Sequence, residues 1–202
     1  MVKNVVFDLG GVLVDLNPAK VIKQYFSKED ADFILSNIFF SKEWREVDRG
    51  VLTPDEAFHK YKDDIAPGAY EKLMDIIENW NEHMPPFDDV YALVKRVKSS
   101  GAKVYLLSNI PPYIHKMFGC VPALSLLDGF VASCDIKLLK PEREIYEHLL
   151  QKYNLKAEES IFIDDTLENV EGARAVGMKA HHFANHDLAA LEAALRECGV
   201  NI

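Results

Sequence analysis

The segment VKNVVFDLGGVLVD, residues 2–15, sets a short apolar run against an aspartate, Asp8, and a glycine pair, Gly10-Gly11. So brief a run, rich in valine and closed by a turn, predicts a strand over Val2–Phe7 buried on both faces, as in a parallel sheet. Four further segments read the same way: Lys103–Leu107, Gly129–Ser133, Ser160–Ile163 and Lys179–Phe183. Helical patterns lie between them. Asp88–Ser100 puts Tyr91, Leu93, Val94 and Val97 on one side and lysines with Arg96 on the other, and Gly101 stops it. Pro141 marks a first helical turn before EREIYEHLLQKY, and Leu167–Val176 ends at Gly177. Strands and helices alternating in this way predict a doubly wound α/β fold.

The stretch from Asn17 to Met84 breaks the alternation, because it is helical in pattern and carries no convincing strand. Thr53-Pro54-Asp55-Glu56 opens one helix with a capping box, and Ala69–His83 carries Leu73, Ile76, Ile77 and Trp80 at helical spacing. Pro85-Pro86 then closes the segment as a stiff hinge. The expected organisation is an α/β core of residues 1–16 and 85–202, with 17–84 inserted as a helical cap.

Composition narrows the partners. Among 202 residues, 23 are Lys or Arg and 32 are Asp or Glu, a net charge of −9 that repels nucleic acid and anionic membranes. No run reaches the length that spans a bilayer, and Asp8 and Asp15 interrupt the apolar N-terminus where a secretory signal would be continuous. Cys120, Cys134 and Cys198 are odd in number and far apart, which fits reduced thiols, a cytoplasmic setting and no zinc site.

In open α/β sheets ligands bind beyond the carboxyl ends of the strands. There the sequence places Asp8, Ser108-Asn109 and Asp164-Asp165, with Lys140 ahead of the helix leading into the fourth strand. Adjacent aspartates at a buried strand end need a cation, and ligands that are all oxygen favour Mg²⁺ beside a phosphate. Lys140, the Ser108 hydroxyl and the open backbone at Gly10-Gly11 complete a cradle for phosphoryl transfer.

The segments VVFDLGGVLVD, VYLLSN, LLKPEREIY and IFIDDTLENVEGARAVG resemble the four ordered motifs of the haloacid dehalogenase superfamily. The FDLGGVLVD and KPEREIY forms are most similar to the sugar-phosphatase-like branch, which includes a bacterial α-glucose-1-phosphate phosphatase. The architecture expected on this basis is a five-stranded parallel sheet of order 5-4-1-2-3 with a small helical cap after the first strand. The resemblance implies that Asp8 is the nucleophile of an aspartyl-phosphate mechanism and that Ser108, Asn109 and Lys140 hold the phosphoryl group. It implies Mg²⁺ on Asp8, the Gly10 carbonyl and Asp165, with Asp164 holding a metal-bound water or Lys140.

The function expected is hydrolysis of a small phosphorylated metabolite, a sugar phosphate above all. Trp44, Arg45 and Arg49 are candidates to face that substrate from the cap. One departure bears on the chemistry. Most phosphatases of the superfamily carry a second aspartate two residues after the nucleophile as general acid and base, and here that position is Gly10. Without it the leaving oxygen departs unprotonated or takes a proton from elsewhere. The competing expectation is a phospho-ligand sensor that kept the cradle without turnover.

Overall fold

A computed structural model describes residues 1–202. Five strands, β1 (Asn4–Phe7), β2 (Lys103–Ser108), β3 (Gly129–Ala132), β4 (Ser160–Asp164) and β5 (Lys179–His182), form one sheet of order β3-β2-β1-β4-β5 with every pairing parallel. The expected order is therefore found, with β1 at the centre.

Side chains alternate across a strand, and here both alternate sets are buried. Val5, Phe7, Val104, Leu106, Ile161 and Ile163 belong to one core cluster, whereas Val6, Tyr105, Leu107, Val131 and Phe162 belong to the other. That is why the strands read as continuous apolar runs.

After β1 the chain passes through five helices, α1 (Pro18–Tyr25), α2 (Lys28–Ile34), α3 (Lys42–Asp48), α4 (Pro54–Phe58) and α5 (Ala69–Glu78). At α4, Thr53 accepts from the Glu56 amide while the Glu56 carboxylate accepts from the Thr53 amide, the reciprocal capping the sequence predicts. The helix expected over Ala69–His83 ends earlier, at Glu78, and the chain tightens into a 3₁₀ turn over Trp80–His83. Trp80 is 1% exposed and stacks near Phe39, so its burial holds that turn. These helices share one continuous core with the sheet face that carries Val5 and Phe7. Val14 bridges to Pro86 where the insertion leaves and returns.

The remaining helices are α6 (Asp88–Ser99), α7 (Ile114–Met117), α8 (Ser133–Ile136), α9 (Arg143–Lys152), α10 (Leu167–Ala175) and α11 (Leu188–Glu197). Pro141 does not open α9 as the sequence suggests: it follows a cis Lys140-Pro141 bond and the helix begins at Arg143. No helix is long and apolar enough to cross a membrane.

Candidate active site

Register delivers the site. Phe7 pairs with Leu106 on one side and Ile163 on the other, so Asp8, Leu107 and Asp164 reach the same level at the carboxyl edge. Asp8 continues the ladder by donating its amide to the Ile163 carbonyl at 2.9 Å. Ser108 follows one residue on, and the loop beyond α8 brings in Lys140.

The Lys140 ammonium lies 2.7 Å from Asp8 Oδ1 and 2.7 Å from Asp164 Oδ2. All three groups are buried. Burial alone would strip the Lys140 charge, but Asp164 and then Asp8 outweigh it and hold its pKa above the usual lysine range. Burial pushes the Asp8 carboxyl up to about 7, with Asp164 adding to the rise against the pull of Lys140. Asp165 is raised in the same direction, by burial first and Asp164 second.

Asp164 has little capacity left for a further ligand. Its Oδ1 accepts from the Thr166 amide at 2.8 Å and Asn169 Nδ2 at 3.1 Å, and its Oδ2 accepts from Lys140 and from the same Asn169 nitrogen. Asn169 is thus the clamp that orients Asp164. Asn109 ties the loop after β2 to the loop before α9 in a reciprocal pair: its Nδ2 donates to the Lys140 carbonyl at 3.0 Å and its Oδ1 accepts from the Lys140 amide at 2.8 Å.

Carboxylate oxygens of Asp8, Asp164 and Asp165 lie within 4.8 Å of one another. Three carboxylates against one ammonium leave an excess of two negative charges when all are ionised. That excess fits a divalent cation with oxygen ligands. Gly11 makes room for this set. Its φ is +70°, and a Cβ there would stand 2.2 Å from Asp165 Oδ2.

Asp8, Ser108, Asn109, Lys140, Asp165 and Asn169 line a cavity of about 510 Å³ with Gly10, Leu16, Arg45, Pro141, Thr166 and Glu168, while Asp164 lies wholly buried behind it. Leu16 is 44% exposed yet covers position 10, where an added Cβ would meet its Cδ2 at 2.5 Å. From the insertion it is Arg45, and neither Trp44 nor Arg49, that forms part of the wall. Arg49 is held elsewhere by Glu142, at 2.6 and 3.0 Å, and by the Lys137 carbonyl at 3.1 Å. Trp44 packs between Phe39 and Phe58. Both are therefore corrected from substrate contacts to packing and docking residues. Asp15 stands where the chain enters residues 17–84, with its amide donating to the Pro85 carbonyl at 2.9 Å.

A central strand that ends in an aspartate, with a lysine and paired aspartates beside it at the sheet edge, defines an α/β protein with an acidic site for a cation and an anionic ligand. The model of the haloacid dehalogenase-like hydrolases matches residues 2–177, and the chain belongs to that family. It is 34% identical over 185 residues to a sesquiterpene phosphatase of Aspergillus oryzae, covering 91% of this chain and 90% of that protein. It is also 27% identical over 200 residues to the D-ribitol-5-phosphate phosphatase of Bacteroides thetaiotaomicron, covering 92% and 93%. Among solved structures, a family enzyme from Bacteroides thetaiotaomicron in complex with magnesium and inorganic phosphate superposes with a TM-score of 0.69, at 26% identity and 95% and 99% coverage. A predicted hydrolase of the family from Porphyromonas gingivalis gives 0.75, at 24% identity and 97% and 98% coverage. The chain is accordingly a phosphoric monoester hydrolase.

Proposed function

We propose that this chain is a Mg²⁺-dependent phosphatase of a small phosphorylated metabolite, acting through an aspartyl-phosphate on Asp8. The observation that carries the reading is the buried triad Asp8–Lys140–Asp164 beneath a polar cavity, with Ser108 and Asn109 on its rim. Asp8 attacks phosphorus in line with the departing oxygen, and Lys140 and the Ser108 hydroxyl neutralise the equatorial oxygens. Asp8, the Gly10 carbonyl and Asp165 would hold Mg²⁺, which supplies Lewis-acid charge to the phosphoryl group. Asp164 orients Lys140, and the clamp from Asn169 keeps that orientation when substrate displaces Lys140 from Asp8. The segment 17–84 acts as a cap that keeps bulk water from the phosphorylated aspartate while leaving a compartment sized for a small molecule.

The polar wall favours a sugar or polyol phosphate, the class of the ribitol-phosphate relative. A second reading has its own observation. An apolar cavity of about 550 Å³ opens between the insertion and the loop after β2, among Met74, Ile77, Pro111, Pro112 and Tyr113, and would seat the hydrocarbon body of a terpenoid phosphate such as the relative from Aspergillus acts on. Phosphate release from a panel of sugar, polyol and isoprenoid monophosphates, with and without Mg²⁺, separates the two. Binding of the panel without release, in Mg²⁺, would favour a sensor instead.

A further inference from the structure

Position 10 carries no acid, and Leu16 fills the space where one would stand, so the leaving oxygen needs its proton from another element. Along the cavity wall the alternatives are few. Lys140 is engaged by two carboxylates, Arg45 offers a guanidinium and no carboxyl, Asp165 belongs to the metal set, and Glu168 lies in the first turn of α10, three residues after Asp165.

One carboxyl is differently placed. Asp48 is the last residue of α3, one turn beyond Arg45 and on the same helix side. Arg45 reaches the cavity above Asp8, so this side of α3 looks down on the reacting centre. The Asp48 end of the helix is fastened to both phosphate-binding loops. Its carbonyl accepts from Ser133 Oγ at 2.6 Å, and that oxygen accepts from the amide of Ile110, two residues after Ser108. The next residue, Arg49, grips Glu142, two residues after Lys140. Beyond it the chain turns at Gly50, whose carbonyl accepts from Lys137 and whose φ of +69° brings its Cα so near the Cys134 carbonyl that a Cβ would stand 2.7 Å from that oxygen. No other carboxyl of the insertion has its backbone held against both loops, and such fixing is what an acid–base group requires.

Resting on the phosphatase reading above, we propose that Asp48 is the general acid and base of this hydrolase, supplied by the insertion in place of the side chain that position 10 lacks. As Asp8 Oδ attacks, the bond from phosphorus to the leaving oxygen breaks, its electron pair stays on that oxygen, and the Asp48 proton neutralises it as the free alcohol. The Asp48 carboxylate then takes a proton from water. That water's oxygen attacks phosphorus, the phosphorus–Asp8 bond breaks, and the Asp8 carboxylate and inorganic phosphate are released.

The surroundings suit the role. Burial pushes the Asp48 carboxyl up to about 7, against the attraction of Lys140, while Asp8 raises it further and Arg45 and a hydrogen bond from Trp44 lower it. Tyr113 faces it from the loop after β2, with its hydroxyl raised far above neutrality by burial and by the Asp48 charge itself, so it is no rival donor.

The test is kcat/KM for a series of alkyl and aryl phosphates of graded leaving-group acidity, in Mg²⁺, on the natural protein, Asp48→Asn, Asp48→Glu, Gly10→Asp and Asp8→Asn. Asp48→Asn is expected to lose about 10²–10⁴-fold on alkyl phosphates and far less on 4-nitrophenyl phosphate, so that the dependence steepens. Asp48→Glu should keep a shallow slope, and Gly10→Asp, whose side chain must turn the exposed Leu16 aside, should recover alkyl substrates selectively when placed in the Asp48→Asn background. An equal loss across the series, or none, would overturn the proposal. Should Asp48→Asn fail to fold, the natural protein decides: a basic limb seen with alkyl but not with nitrophenyl substrates supports it, and the same limb with both overturns it. Failure of the phosphatase reading shows separately, as undiminished turnover by Asp8→Asn.

Discussion

Gly11→Ala tests whether Asp165 is a metal ligand without replacing any ionisable group. Gly11 has a φ of +70°, and an alanine there would set its Cβ 2.2 Å from Asp165 Oδ2 and 2.6 Å from Asp165 Cγ. No carbon and oxygen approach so closely without a bond, so Asp165 must turn away. The left-handed conformation adds about 1–2 kcal/mol of strain in an L-residue. The two effects can be separated because Gly101 supplies the control. Its φ is +89°, and nothing lies within 4 Å of an added Cβ. Both variants should therefore melt about 2–8 °C below the natural protein, from about 2–4 °C per kcal/mol at this chain length. Gly11→Ala alone should raise the Mg²⁺ concentration for half-maximal phosphate release by about 10–100-fold, the range for disturbing a ligand's orientation. The assays are calorimetric melting in chelator and a Mg²⁺ titration of turnover. If Gly11→Ala and Gly101→Ala show the same Mg²⁺ requirement, the assignment of Asp165 is refuted, whatever their melting points.

Asp8→Asn should abolish phosphate release while the protein still melts cooperatively, whereas Asp165→Ala should retain some turnover at raised Mg²⁺, both read by a phosphate-release assay. Lys140→Met leaves Asp8 and Asp164 facing each other in a buried site with no ammonium, which should destabilise the chain by about 3–5 kcal/mol in urea unfolding at neutral pH. Acidification should recover part of that loss, because protonating either carboxyl removes the repulsion. In the metal-free natural protein, Asp48 titrates near 7 when folded against an ordinary value of 3.8, so the folded state holds the extra proton. The stability this contributes is full below about pH 4 and is lost as pH rises towards 7, at no more than about 1.4 kcal/mol per pH unit. Asp48→Asn should flatten the stability profile across that window, as measured by urea unfolding in chelator; an unchanged slope would mean that the Asp48 carboxyl is not perturbed by folding.

The parts of this molecule that were legible in the sequence share one physical property: each is decided by neighbours in the chain. Strands β1, β2 and β4 are short apolar runs because both faces of a parallel sheet are covered, and Asp8, Ser108 and Asp164 stand at or one residue past their ends. A periodic pattern therefore locates them to within a residue. Lys140 was legible through its motif, but its placement between two carboxylates depends on the loop from α8, and Pro141 misled because helix α9 begins later, at Arg143. The side chains of the insertion are decided by partners far along the chain. Arg49 looked free to meet a substrate until Glu142, 93 residues away, claimed it. For Asp48, nothing within several residues distinguishes it in the sequence from Glu43 or Glu46. Its distinction comes from Ser133, 85 residues on, which fixes its carbonyl, and from the fields of Lys140 and Asp8. A carboxyl becomes an acid at neutral pH only when something removes its water, and in this fold that requires the insertion to be docked on the sheet edge. The proton donor that position 10 does not carry could thus be read only from the folded chain.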